Sequence, residues 1–244
     1  MRIKCVISYD GSGFQGYQIQ KNARTVQAEI ESVLARMHKG KRIPITAAGR
    51  TDTGVHALGQ VIHFDTTLNL PDDTWIQALN AQLPKDIAVM EAEAVPEGFH
   101  ARYSAKGKEY RYRVLLTPVR NPLLRHYAYH FPYPVDVGRM KEAAGYLLGT
   151  HDFTSFSASG SSVRNKIRTI YRFEILQEGK ELWFVVSGNG FLYNMVRIMV
   201  GTLLEIGTGK REPEDIPKIL SVKDRKSAGK TAPGHGLYLY QVFY

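Results

Sequence analysis

The 244-residue chain predicts an α+β fold built as two ferredoxin-like halves. Three observations predict it. Short apolar alternations of period two mark strands, and apolar residues at spacings of three and four mark helices. The order strand, helix, strands, helix, strand occurs twice along the chain. Each half is expected to form a mostly antiparallel sheet with helices on one face. The two sheets are expected to join into one continuous sheet with an open face and a central cleft. The divide is expected between residues 103 and 104, with halves 1–103 and 104–244. No low-complexity linker separates them, so packed rather than tethered halves are expected.

The first half opens on a strand from Arg2 to Tyr9, with Ile3, Cys5, Ile7 and Tyr9 on one face and Arg2, Lys4 and Ser8 on the other. Asp10-Gly11-Ser12-Gly13 reads as a glycine turn, since no Walker lysine or dinucleotide spacing follows. Thr25 is the expected N-cap of a helix carrying Val26, Ile30, Val33, Leu34 and Met37 and running to His38. Ile43 to Ala47 leads into a loop, and Gln60 to Asp65 is strand-like. A short helix over Trp75 to Leu83 stops before Pro84, and Ile87 to Ala94 is a strand.

The second half repeats the order loosely. Lys108 to Leu116 is a strand with Tyr110, Tyr112 and Val114 on one face and Arg111 and Arg113 on the other. Val137, Met140, Ala144 and Leu147 mark a helix. Strands over Arg172 to Leu176 and Leu182 to Ser187 are joined through Gln177-Glu178-Gly179-Lys180. Leu192, Val196, Met199, Leu203 and Ile206 define a long helix, and Leu237 to Phe243 closes the chain as a strand.

Composition narrows the class. A hydrophobic fraction of 43% spread along the chain supports a sizeable core rather than disorder. The apolar runs are too short to span a bilayer, and the first residues open directly into a strand rather than a signal peptide. The single cysteine, Cys5, has no disulfide partner and sits at a buried strand position. A cytoplasmic protein with no membrane association is the resulting expectation. The net charge is +9, from 32 Lys and Arg against 23 Asp and Glu. Such a surplus favours polyanions, and its interleaving with aromatics points towards nucleic acid.

The candidate site starts at Ala48-Gly49-Arg50-Thr51-Asp52-Thr53-Gly54-Val55-His56-Ala57, a turn-rich loop between strand-like runs. Arg50 beside Asp52 favours an ionised carboxylate, which can serve as nucleophile or general base. The plainer alternative is a tight turn in which Asp52 caps backbone amides. Arg197 lies in a helix apolar on nearly every side, and a buried guanidinium requires an anion; Asp52 is the candidate. The alternatives are that Arg197 snorkels to solvent or binds phosphate. Tyr110 and Tyr112, bracketed by cations, suit base stacking but equally suit core packing. His56, His63, His100 and His235 show no metal spacing, so neither a metal nor a cofactor is expected. Arg164, Lys166 and Arg168 form a candidate RNA patch or a solvated loop. Tyr127, Tyr129 and Phe131 suit either an interface or a core strand.

Three segments resemble the tRNA pseudouridine synthase A family. They are the Asp52 loop from Gly49 to Ala57, the strand Lys108-Glu109-Tyr110-Arg111-Tyr112, and Gly190 to Gly201 around Arg197. The opening Tyr9 to Gln18 and the closing Ala232 to Leu237 also fit, so the resemblance spans the chain in order. It implies conversion of uridine to pseudouridine in the anticodon stem-loop of tRNA, at about positions 38, 39 and 40, on a base flipped from its stack. It implies Asp52 as nucleophile, Tyr110 stacked on the target uracil, Arg197 paired with Asp52, and Arg50 holding the flipped nucleotide. It also implies a cofactor-free homodimer across which the tRNA lies.

Two other classes compete. Tandem RRM-like α+β modules describe a non-catalytic basic RNA-binding protein, which leaves Asp52 and Arg197 without a purpose. An aspartic-protease reading of Asp52-Thr53-Gly54 needs a second such triplet and a shared proton, which Arg50 disfavours.

Overall fold

The computed structural model describes residues 1–160 and 163–244. They divide into two compact units, Met1–Lys106 with Tyr238–Tyr244, and Gly107–Leu237. The divide falls a few residues beyond the one expected from the sequence, and the chain end returns to the first unit. The reason is strand pairing, since Tyr238 and Leu239 lie parallel to His56 and Ala57.

The first unit contains β1 (Arg2–Tyr9), α1 (Val26–Met37), β2 (Thr46–Ala47), β3 (His56–Asp65), α2 (Asp72–Asn80) and β4 (Ile87–Val95). Strand β1 is central, antiparallel to β3 on one side and to β4 on the other. The closing strand, Leu237–Phe243, adds to β3 in parallel, and β2 pairs antiparallel with it. Along β1 the alternation is as expected, with Ile3, Cys5, Ile7 and Tyr9 buried. Burial raises the Cys5 thiol to about 12, so it is an inert core residue. The Thr25 hydroxyl caps α1 by accepting from the Ala28 amide at 3.4 Å. The end of α1 is joined to the sheet through rings: His38 stacks on Trp75 of α2, which meets Phe64 of β3 edge-on. His38 also bonds the Thr66 hydroxyl at 2.7 Å.

Strand β3 begins four residues before the start expected from the sequence, at His56 rather than Gln60. Of its ten residues only Leu58 and Asp65 are exposed, so no alternation announces it. What makes His56 and Ala57 extended is pairing with residues far along the chain.

The second unit contains β5 (Gly107–Leu115), β6 (Tyr129–His130), α3 (Val137–Gly145), β7 (Gly149–Asp152), β8 (Ile167–Glu178), β9 (Glu181–Gly188), α4 (Met195–Gly207) and α5 (Asp215–Val222). Its sheet runs β5-β9-β8-β7 with antiparallel neighbours, and β6 lies parallel to the end of β5. Helix α4 is the core of this unit: of its 13 residues only Arg197 and Glu205 are not buried. Close packing explains its glycine. A Cβ on Gly201 would overlap the Lys230 carbonyl oxygen. Among the described residues, no helix is long and apolar enough to cross a membrane.

Candidate active site

Asp52 sits partly exposed in the loop between β2 and β3 of the first unit. The loop is fixed from below by buried polar contacts. The Tyr9 hydroxyl bonds the Thr51 hydroxyl at 2.8 Å, and the Tyr17 amide donates to the Thr51 carbonyl at 3.0 Å. The Gln60 side-chain amide donates to the Gly49 carbonyl at 2.8 Å, and the Ala48 amide donates to Val61 at 2.8 Å. The Val55 amide closes a turn onto the Asp52 carbonyl at 3.1 Å, with Gly54 supplying a φ of 75°. Every residue from Gly49 to Asp52 other than Arg50 is therefore held by its backbone or side chain. Arg50 itself is exposed.

The glycine turn after β1 is part of this frame rather than a plain loop. Gly11 lies so close to Val55 that a Cβ would overlap the Val55 carbonyl oxygen. The Gly11 amide donates to Nδ1 of buried His56 at 3.0 Å. That bond requires an imidazole with its proton on Nε2. The Asp10 carboxylate lies 3.2 Å from the same nitrogen and would need a proton on it, so the two contacts exclude each other. The fixed backbone amide of Gly11 favours the first. Tyr238 stacks on the other side of the ring, with centroids 4.8 Å apart. Gly16, at φ 94°, brings the chain against the Thr51 and Asp52 backbone.

In the second unit, Tyr110 and Tyr112 share the buried face of β5, as the alternation predicts. Tyr110 is 8% exposed and meets Phe191 edge-on, with centroids 5.0 Å apart. Tyr112 is fully buried and its hydroxyl donates to the Pro233 carbonyl at 2.7 Å. Gly236 packs against the Tyr112 ring so closely that a Cβ would lie 2.7 Å from it. Arg197 is half-buried at the start of α4. Its Nε donates to the Ala232 carbonyl at 2.7 Å, and Nη1 donates to the Asn194 side chain at 2.7 Å. The Ala232 amide returns a bond to the Arg197 carbonyl at 3.0 Å. Residues 232–236 thus join Arg197 to Tyr112, and the closing motif is the strap that orients the arginine.

Asp52 and Arg50 are brought onto one loop of the first unit, and Tyr110 and Arg197 onto neighbouring elements of the second. Of the candidate patch, Arg164 is exposed, while Arg168 bends back to donate to the Asn165 and Ile167 carbonyls. Tyr127, Tyr129 and Phe131 are half-buried, and the latter two line a cavity of about 630 Å³ beside α4. Sequence reasoning missed the frame itself: Tyr9, Tyr17, His56 and Gln60. His56 and Gln60 lie close to the motif in sequence, whereas Tyr9 and Tyr17 are remote from Thr51 and no local pattern links them to it. Among the described residues, no group of three or more His, Cys, Asp or Glu is arranged to hold a metal.

A family model described as tRNA pseudouridine synthase matches residues 5–104 and 143–244. The chain is 60% identical over 243 residues to tRNA pseudouridine synthase A of Anoxybacillus flavithermus, covering 100% of this chain and 98% of the other. It is 61% identical over 236 residues to the protein of that name from Halalkalibacterium halodurans, covering 97% and 90%. The corresponding figures for Bacillus subtilis are 56% over 245 residues, covering 100% and 99%.

Proposed function

Because the chain belongs to the tRNA pseudouridine synthase family, we propose that it isomerises uridine in the anticodon stem-loop of tRNA, at about positions 38, 39 and 40, with Asp52 as nucleophile. The enzyme is an isomerase acting on tRNA; the choice of stem-loop and the roles of individual residues are our reading. The observation that carries it is the frame under the Asp52 loop. Three side chains, the Tyr17 amide and two glycines hold a short loop whose carboxylate is left partly exposed. Such a scaffold is what an oriented reacting group needs.

The reaction breaks the bond from C1′ to N1, turns the uracil, and joins C1′ to C5. The C5 hydrogen leaves as a proton and N1 gains one, so nothing is oxidised and no group is added. A base inside a stem is out of reach, so it is flipped out at a cost of a few kcal/mol. Asp52 then attacks C1′ or C6, or takes the 2′ proton to give a glycal. In this reading Arg197, already oriented by Ala232 and Asn194, pairs with Asp52 and keeps it anionic. Tyr110 stacks on the detached uracil and retains it, and exposed Arg50 holds the displaced nucleotide. The enzyme works in the cytoplasm as a homodimer with the tRNA across both subunits.

The test is tritium release from tRNA carrying uridine labelled at C5. The native protein is expected to release it. Asp52→Ala is expected to lose release by at least a thousandfold while tRNA binding persists. Release by Asp52→Ala at the native rate would remove the nucleophile from this account. Binding without release by the native protein would leave only an RNA-binding protein.

A further inference from the structure

Residues His100 to Ser104 form a turn in which every backbone amide has an acceptor. The His100 amide donates to the Ser104 hydroxyl at 3.0 Å, and the Ser104 amide donates to the His100 carbonyl at 2.9 Å. The Arg102 and Tyr103 amides share Nδ1 of His100, each at 3.2 Å. The Ala101 amide donates to Nδ1 of buried His63 at 3.1 Å, and the Ala101 carbonyl accepts from the Tyr244 hydroxyl at 2.6 Å. A turn held this fully spends little conformational entropy when it meets a partner.

What this rigid turn presents is one large ring. Tyr103 is 77% exposed. It stacks on His100 with centroids 4.3 Å apart and planes 26° from parallel, so the ring is backed on one side while most of its surface stays exposed. The Arg102 guanidinium lies over the same ring, 5.8 Å from its centroid. His100 in turn meets His63 at 5.0 Å, which meets Phe99 at 6.1 Å, so the exposed ring ends a chain of packed rings. Residues 98–108 contain Arg102, Lys106 and Lys108 and no Asp or Glu. A rigid exposed aromatic ring amid cations fits a nucleobase with its phosphates, and it fits an acidic or apolar peptide less well.

We propose that Tyr103, backed by His100 and flanked by Arg102, is a stacking platform for an unpaired base of the RNA substrate other than the reacting uridine. The proposal rests on the tRNA reading above. It assigns a binding surface outside the Asp52 loop, the β5 tyrosines and Arg197. Tyr103 supplies the stack and Arg102 a phosphate contact.

The experiment measures Kd for unmodified tRNA at several salt concentrations, with tritium release in parallel, for the native chain and three variants. Tyr103→Ala is expected to weaken binding about tenfold, leave the salt slope unchanged and leave release at saturating tRNA unchanged. Tyr103→Phe keeps the stacking ring and is expected to restore native binding. Arg102→Ala is expected to lower the salt slope by about one. At this exposure Tyr103→Ala keeps the native thermal midpoint, so a lost fold does not imitate the result. Native affinity in Tyr103→Ala, or weak binding in Tyr103→Phe, overturns the platform. Native protein that binds tRNA with these variant effects but releases no tritium overturns the synthase reading and leaves the platform standing. No tRNA binding by the native protein overturns both.

Discussion

At the residue scale, the fold rests on polar side chains buried beneath the exposed ones. Asp52 between Arg50 and His56, and one arginine in an apolar helix, stand out because they violate the pattern around them. His56 is conspicuous only as a neighbour of Asp52, and His63 carries no pattern of its own; the structure makes both of them hydrogen-bond acceptors in buried frames. Tyr9 and Thr51 lie 42 positions apart, and no local pattern links them. His63 carries a consequence for stability. Burial first, then Arg2 and His100, lowers it from 6.5 to about 4. The unfolded chain therefore takes up a proton that the folded one refuses. The stability this neutral histidine contributes is fully present above about pH 6.5, is lost as pH falls, and is gone near pH 4. The loss is on the order of 1–3 kcal/mol. His63→Asn keeps an acceptor for Ala101 without titrating in this range. Urea midpoints at pH 7 and 4.5 should fall further apart in the native chain than in His63→Asn; an equal fall in both would assign the loss elsewhere.

At the element scale, strands with one wet face and helices with one dry face could be read, because each carries its period in its own residues. β1 and α1 fall where their patterns place them. The elements that differed lack such a pattern. Strand β8 starts at Ile167, five residues before the expected Arg172, because its first residues, Ile167-Arg168-Thr169-Ile170, do not alternate and are drawn out by pairing with β7. Helix α5 is not among the expected elements; Pro217 fits it because, within the first turn, a missing amide costs nothing. Helix α4 was legible as buried, but the closeness of its neighbour was not. Alanine is usually favoured over glycine inside a helix by about 1 kcal/mol. At Gly201 the added methyl meets the Lys230 carbonyl, and overpacking of this kind costs about 1–3 kcal/mol. Gly201→Ala should therefore lower stability by about 1 kcal/mol net. Gly145→Ala, at the end of α3 with open space around it, should raise it by about 0.5 kcal/mol. Opposite shifts in urea midpoint would confirm that packing, not helix propensity, sets the sign; a gain in both would refute the Gly201 contact.

At the scale of the whole molecule, the doubled order of elements could be read, but not the return of the closing strand to the first unit, since parallel pairing with β3 depends on a partner about 180 residues away. Charge behaves likewise: its sum is legible and its distribution is not. Much of the cationic count is already matched. Arg2 pairs with Asp65, Arg24 with Asp86, Arg113 with Glu181, and Arg211 with Glu205. These arginines brace the fold and have little left for phosphates. The surplus of +9 must act through exposed cations such as Arg50, Arg102, Lys106 and Arg164. If they grip tRNA, each phosphate contact releases counterions, and log Kd rises with log salt in proportion to the number of contacts. Going from 50 to 200 mM salt should weaken binding by on the order of a hundredfold or more for several such contacts. The chemical step, at an already bound uridine, should not follow. Tritium release at saturating tRNA is expected to change less than twofold across the same range, while its half-saturating tRNA concentration rises with Kd. A rate at saturation that falls as steeply as affinity would mean that salt disrupts the reacting centre, and the surplus charge would then serve catalysis rather than capture.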